Sequence, residues 1–175
     1  MAIGSSVYLA VADDATIRRV IEQGRPGTAM PAFGQTAGGF LTDTQVDVLV
    51  RGMRERWARP GTLGSDKPPA YAASQPGDTA RGHNVFTTFC SSCHGSDGRG
   101  GRTGSIVDSS YLALVSDQHL RTLTITGMPA RGAPDWRGNV PGKPMSDADV
   151  TDVVAWLAAQ RPSLSAQSNH PGGSE

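Results

Sequence analysis

Phe89-Cys90-Ser91-Ser92-Cys93-His94-Gly95 is the stretch on which the reading of this chain turns. Two cysteines three apart with a histidine directly after the second form a Cys-x-x-Cys-His run, the pattern of covalent haem attachment. On a helical turn, positions i and i+3 share a face, so both sulfurs reach the two vinyl groups along one edge of a porphyrin. The adjacent histidine then turns its ring toward the iron. Three other readings compete. A dithiol redox centre expects a βαβ setting, whereas these flanks are helical and Gly-rich. Zinc needs four ligands, and the remaining histidines, His83, His119 and His170, are scattered with no second Cys pair. A Cys90–Cys93 disulfide would close a tiny, strained loop.

The 175 residues hold no net charge, with 22 Gly, 12 Pro and 6% aromatics. That composition predicts short helices joined by many turns, in one domain or two small ones. A small core of this kind gains from a buried porphyrin as its apolar centre, so the haem-free chain is expected to fold poorly. Without a basic field, no nucleic-acid or anionic-lipid partner is expected. No apolar run approaches the roughly 20 residues of a membrane span. Residues Met1 to Ser6 lack the charged and apolar regions of an export signal.

Outward from the Cys-x-x-Cys-His run, helix signals recur. Asp78 or Thr79 opens a helix carrying Gly82, Val85, Phe86 and Phe89 into Cys90, and Gly95 to Gly101 reads as a loop. Gly82 reads as a point of close helix packing. Pro60, Pro68, Pro69 and Pro76 make residues 58–77 a linker. Upstream, Asp13 or Asp14 caps a helix with Ile17, Val20 and Ile21 on one face, ended by Gly24. Thr42, followed by Asp43, caps another whose apolar positions are Val46, Leu49, Val50 and Met53.

The chain also repeats itself. Tyr8-Leu9-Ala10 matches Tyr111-Leu112-Ala113, and Asp14, Arg18, Gly24 and Pro31 match Asp117, Arg121, Gly127 and Pro134 at constant spacing. After one inserted residue, Thr42-Asp43 pairs with Ser146-Asp147 and Val46 with Val150. The expected organisation is a partial first copy without its own Cys-x-x-Cys-His (1–57), the linker (58–77), a complete second copy (78–162) and a disordered tail (163–175).

These features resemble the class I cytochrome c family. They are an N-terminal helix with Gly82 and Phe86, Cys90 to Gly95, a Gly-rich loop, and a capped C-terminal helix carrying Trp156. The resemblance covers roughly residues 77–162 and, more weakly, 5–57, so the whole looks like a truncated bacterial dihaem cytochrome. It implies an all-α fold around one covalent haem c, with Gly82, Phe86 and Trp156 forming the crossing of first and last helices. Such haems are attached outside the cytoplasm, so a periplasmic or other extracytoplasmic location is expected, with an export leader upstream of Met1. A second haem requires an upstream Cys-x-x-Cys-His.

The resemblance further assigns Cys90 and Cys93 to the thioether links, His94 to the proximal iron position, and a methionine before the last helix to the distal one. Met30 holds that place in the first copy. In the second, repeat register sets Ala133 there, which leaves Met145 as the preferred candidate and Met128 as the alternative, ahead of His83, His119 or an open position. His/Met ligation implies an electron carrier, not an enzyme, serving a dehydrogenase, a quinol-oxidising complex or a terminal oxidase. The alternatives are a cytochrome c subunit of a larger oxidoreductase, or a haem enzyme or ligand sensor with an open sixth position.

Overall fold

The computed structural model describes residues 3–162; the tail assigned to 163–175 and His170 lie outside the described residues. It contains eight α-helices among them: α1 (Ser6–Val11), α2 (Asp14–Gln23), α3 (Asp43–Trp57), α4 (Thr79–Phe89), α5 (Ser91–His94), α6 (Ser109–Leu114), α7 (Asp117–Thr126) and α8 (Asp147–Ala158). The described residues form no strand, only isolated bridges, so the all-α expectation holds. Most helices start on an oxygen-bearing side chain that accepts from the first turn: Ser5, Asp13, Thr42, Asp78, Asp108, Ser116 and Ser146. Each such cap stabilises its helix by about 1 kcal/mol. The repeat is visible in three dimensions, because α1, α2 and α3 recur as α6, α7 and α8, and both α3 and α8 open with a reciprocal capping box.

What the second copy has in addition is α4, laid across α8. A Cβ placed on Gly82 would stand 2.1 Å from the Asp152 carbonyl oxygen, so the two backbones meet where only hydrogen fits. One turn further on, the Phe86 ring stacks on Trp156 with centroids 4.4 Å apart. The Asp152 carboxylate, 4% exposed as a residue, accepts the Asp78 amide at 2.7 Å and pairs with Arg81 at 2.9 Å. Around this crossing Val85, Phe86, Phe89, Leu112, Leu120, Ile125, Trp136, Val150, Val153 and Leu157 form the main core.

The first copy has a smaller core of Tyr8, Leu9, Ala12, Ile17, Val46 and Val50. Leu49, at the apolar spacing of α3, is 46% exposed, and Val48 beside it is 57% exposed. Val153, the counterpart of Leu49, is 1% exposed in a core to which α4 contributes Val85, Phe86 and Phe89. No helix among the described residues plays that part on α3, which packs on α1 and α2. The apolar stripe is the same; its covering differs.

The Pro-rich segment between the copies is more than a spacer. Arg121, 2% exposed, donates through Nε and Nη2 to the Ala70 carbonyl at 3.0 and 2.9 Å, and Asp147 accepts the Ala70 amide at 2.9 Å. Arg137 reaches the Leu63 carbonyl and Asp66. Tyr71 joins the two copies: its carbonyl accepts from Gln118, its hydroxyl accepts from Arg25, and its ring lies 6.3 Å from Tyr8.

Two predictions follow from this packing. Gly82→Val drives a side chain into the Asp152 backbone, and overpacking of this kind costs roughly 1–3 kcal/mol or more. Denaturant unfolding of the haem-loaded protein should show it; an unchanged midpoint would refute close packing at Gly82. His119, half-buried on α7, is held below the usual imidazole range by burial first and by positive charge including Arg25 next. An imidazole depressed in the folded state binds its proton better in the unfolded chain, so stability is lost as pH falls below about 6.5, the ordinary histidine value. His119→Gln is expected to flatten that acid-side loss in melting curves taken between pH 5 and 8, ranges set by histidine chemistry.

Candidate functional site

The turn that carries the two cysteines is a separate element from α4. The helix stops at Phe89, Cys90 leaves helical geometry at φ −121° and ψ −30°, and Ser91–His94 forms a one-turn helix of its own. The expectation of a run at the end of one helix is thus refined to a break at Cys90 followed by a new turn. Both cysteines are free thiols and half-buried. Desolvation pushes the Cys90 thiol up to about 12, with the neighbouring Cys93 as a second cause. Arg102 sets a guanidinium 3.3 Å from the Cys93 sulfur.

The Gly-rich loop folds back and fastens the turn. Gly101, at φ +80°, sits so close that a Cβ would lie 2.3 Å from the Cys93 carbonyl oxygen, in a conformation that side chains rarely adopt. Thr103 donates its hydroxyl to the same carbonyl at 3.0 Å, and Gly100 donates its amide to the His94 carbonyl at 3.2 Å. His94 Nδ1 lies 3.2 Å from the Gly104 carbonyl oxygen and 3.0 Å from Thr103 Oγ1. A carbonyl only accepts, so Nδ1 carries the proton and Nε2 keeps its lone pair. This is the outer-shell arrangement that orients a metal-binding imidazole and fixes its tautomer.

The donor set fits a haem. Two unpaired thiols on one turn and an imidazole with Nε2 unengaged are what covalent attachment with axial ligation needs. No cluster of three or more His, Cys, Asp or Glu able to hold a metal ion occurs among the described residues, so zinc lacks its ligands.

The candidate distal residues fall in different settings. Met145 is 2% exposed, immediately ahead of the Ser146 cap of α8; its amide donates to the Trp136 carbonyl at 2.9 Å and its sulfur lies 3.8 Å from the Asn139 side-chain nitrogen. Met128 follows α7 and its closing residue Gly127, is half-buried, and forms an isolated antiparallel bridge with Ala133. Met30 is half-buried in the corresponding loop of the first copy. His83 packs its ring 5.6 Å from Trp156 on α4. Sequence reasoning missed Thr103, Gly104 and Arg102, because contacts made by backbone carbonyls and loop hydroxyls leave no spacing signature. The Met128–Ala133 pairing could have been found by tracing the loop of one copy onto the other.

Residues 79–161 match the family model described as Cytochrome c. The match spans just under half of the chain, and the family it describes implies covalently bound haem c and haem-based electron transfer. Among solved structures, the chain is similar to the Kuenenia stuttgartiensis reducing HAO-like protein complex at 16% identity and a TM-score of 0.47, covering 86% of this chain and 73% of that one. No curated protein matches the chain.

Thr103→Val removes one of the two groups facing His94 Nδ1 while leaving the Gly104 carbonyl. The imidazole should remain bound but less firmly oriented, seen as a broadened or shifted Soret band in the oxidised protein. A spectrum identical to the parent would exclude a positioning role for Thr103.

Proposed function

We propose that this chain is an electron carrier in which Cys90 and Cys93 hold one haem c by thioether links, His94 is the proximal ligand, and a methionine closes the distal side. The observation that carries the reading is the His94 imidazole, with Nδ1 tied to the Gly104 carbonyl and Nε2 left for iron. When bound, haem c supplies a one-electron iron couple. The protein's own part is to hold the imidazole by Thr103 and Gly104, to exclude water with the apolar core of α4, α7 and α8, and to keep both axial positions filled so that only electrons pass.

Supporting sequence features are the Cys-x-x-Cys-His run and the two methionines ahead of α8, Met145 and Met128. We read residues 1–57 as a partial first copy in which Met30 would serve a second haem only if a Cys-x-x-Cys-His preceded it, and residues 78–162 as the complete haem domain. We read the protein's location as periplasmic or otherwise extracytoplasmic, because the resemblance implies haem attachment outside the cytoplasm. Its redox partners would be a dehydrogenase, a quinol-oxidising complex or a terminal oxidase, met freely or within an oxidoreductase assembly. Among the described residues no helix is long and apolar enough to cross a membrane.

Ala133 at the register position of Met30 favours a second reading, an open sixth position that binds small ligands. Carbon monoxide separates the two. The holoprotein is expected to carry one haem per chain by its pyridine haemochrome spectrum, to cycle reversibly between oxidation states, and to bind carbon monoxide slowly and incompletely when reduced at neutral pH. Rapid, complete binding would replace the carrier with a ligand-binding haem protein.

A further inference from the structure

In the second copy the distal thioether has changed sides within its loop, and we infer that Met128, not Met145, is the sixth ligand. This rests on the electron-carrier reading above and names the residue that reading leaves open. Met128 and Ala133 exchange both backbone hydrogen bonds, Met128 N to Ala133 O at 3.0 Å and Ala133 N to Met128 O at 3.2 Å. In such a reciprocal antiparallel pair the two side chains stand on the same face, with Cβ atoms about 5 Å apart. A side chain at 128 therefore emerges beside the one at 133.

The first copy keeps one of these two hydrogen bonds in the same register, while its Met30 amide turns to the Thr28 hydroxyl at 3.2 Å. Arg25 donates its amide to the Met30 carbonyl at 2.9 Å, and Arg25 and Met30 correspond to Met128 and Ala133. One copy has a long cationic residue opposite methionine; the other has methionine opposite alanine. In the second copy the sulfur is absent at 133 and present at 128, on the same face of the Met128–Ala133 pair. Methionine, unbranched with three rotatable bonds, is suited to cover the offset.

Met145 is committed to a different task. It stands directly before the α8 cap and belongs to the same core as Val150, four residues beyond that cap, the arrangement of a hydrophobic staple. Its counterpart in the first copy is Leu41, which packs against the smaller core and has no iron-binding atom. An apolar side chain is what this position requires in both copies, and the Met145 sulfur already faces the Asn139 amide.

The test uses the haem-loaded full chain and two volume-conserving variants, Met128→Leu and Met145→Leu. The readouts are the far-red thioether-to-iron absorption of the oxidised protein and carbon monoxide binding by the reduced protein. The expected result is that the parent shows the band, Met145→Leu keeps it, and Met128→Leu loses it while carbon monoxide binding becomes rapid. An exchange variant, Met128→Arg with Ala133→Met, rebuilds the first copy's arrangement and should restore the band. Retention of the band in Met128→Leu, or its loss in Met145→Leu, overturns the assignment to Met128 while leaving the carrier reading intact. Absence of the band from the parent, with rapid carbon monoxide binding, overturns the carrier reading itself. If Met128→Leu fails to take up haem, Met145→Leu decides alone: retention leaves Met128 as the thioether of the second copy, and loss refutes it.

Discussion

The contact on which the rest depends is the meeting of two helix backbones at Gly82 and Asp152. Helices with side chains between them pack at 8–10 Å, and a missing Cβ lets α4 sit closer to α8 than any other residue would allow. The close approach places Phe86 flat against Trp156 and aligns the Asp152 carboxylate under the start of α4, where it accepts the Asp78 amide. A buried carboxylate is costly unless paired and hydrogen-bonded, and here it has both Arg81 and a backbone donor. With α4 fixed at its middle and its start, its last residue, Phe89, is buried in the core, and the Cys90 break leaves from a defined point. The geometry of the thiols and of His94 is inherited from a helix crossing that touches none of them.

The two copies show how far one local sequence pattern can go. The side-chain caps recur in all three helix pairs, and α2 and α7 share both their length and a closing glycine, since these depend on neighbours within a few residues. Burial recurs only in part: Leu9 and Leu112, Ile17 and Leu120, and Val46 and Val150 are buried in both copies, but other equivalent positions differ. Arg18 and Arg121 hold equivalent places, and both cross to the first turns of the following helix, Arg18 to Asp43 and Asp47 and Arg121 to Asp147 and Thr151. Arg121 is nevertheless buried, with the Ala70 carbonyl of the linker seated on its guanidinium. A guanidinium has five donors in a fixed fork, and a Pro-containing segment outside any helix leaves carbonyls free to accept from it.

The same division explains what was legible in the sequence. The Cys-x-x-Cys-His run, the capping residues, Gly82 with Phe86 and Trp156, and the internal repeat are all short-range or periodic signals, and each finds its place in the structure. Leu49 keeps the apolar spacing yet is exposed, because helical periodicity reports which residues share a face, not whether anything covers that face. The strap over Arg121, the Tyr71 junction and the Thr103–Gly104 cradle of His94 depend on chain crossings at separations of about 10 to 50 residues. No periodicity encodes those.

Loop register is the intermediate case, and it bears most on the site. The segment between α7 and α8 is tied at both ends and in its middle, by the Met128–Ala133 pair, by Trp136 N to Ile125 O at 3.1 Å and by Met145 N to Trp136 O at 2.9 Å. Trp136, 1% exposed, anchors the centre with Arg137 stacked 4.7 Å over its ring. A loop pinned in this way specifies positions, not identities, so a side chain can change partners across a pair without moving the backbone. The sulfur at 128 and the alanine at 133 lie on one such pinned pair, and the copy that carries Met30 shares one of its two hydrogen bonds, Arg25 N to Met30 O at 2.9 Å.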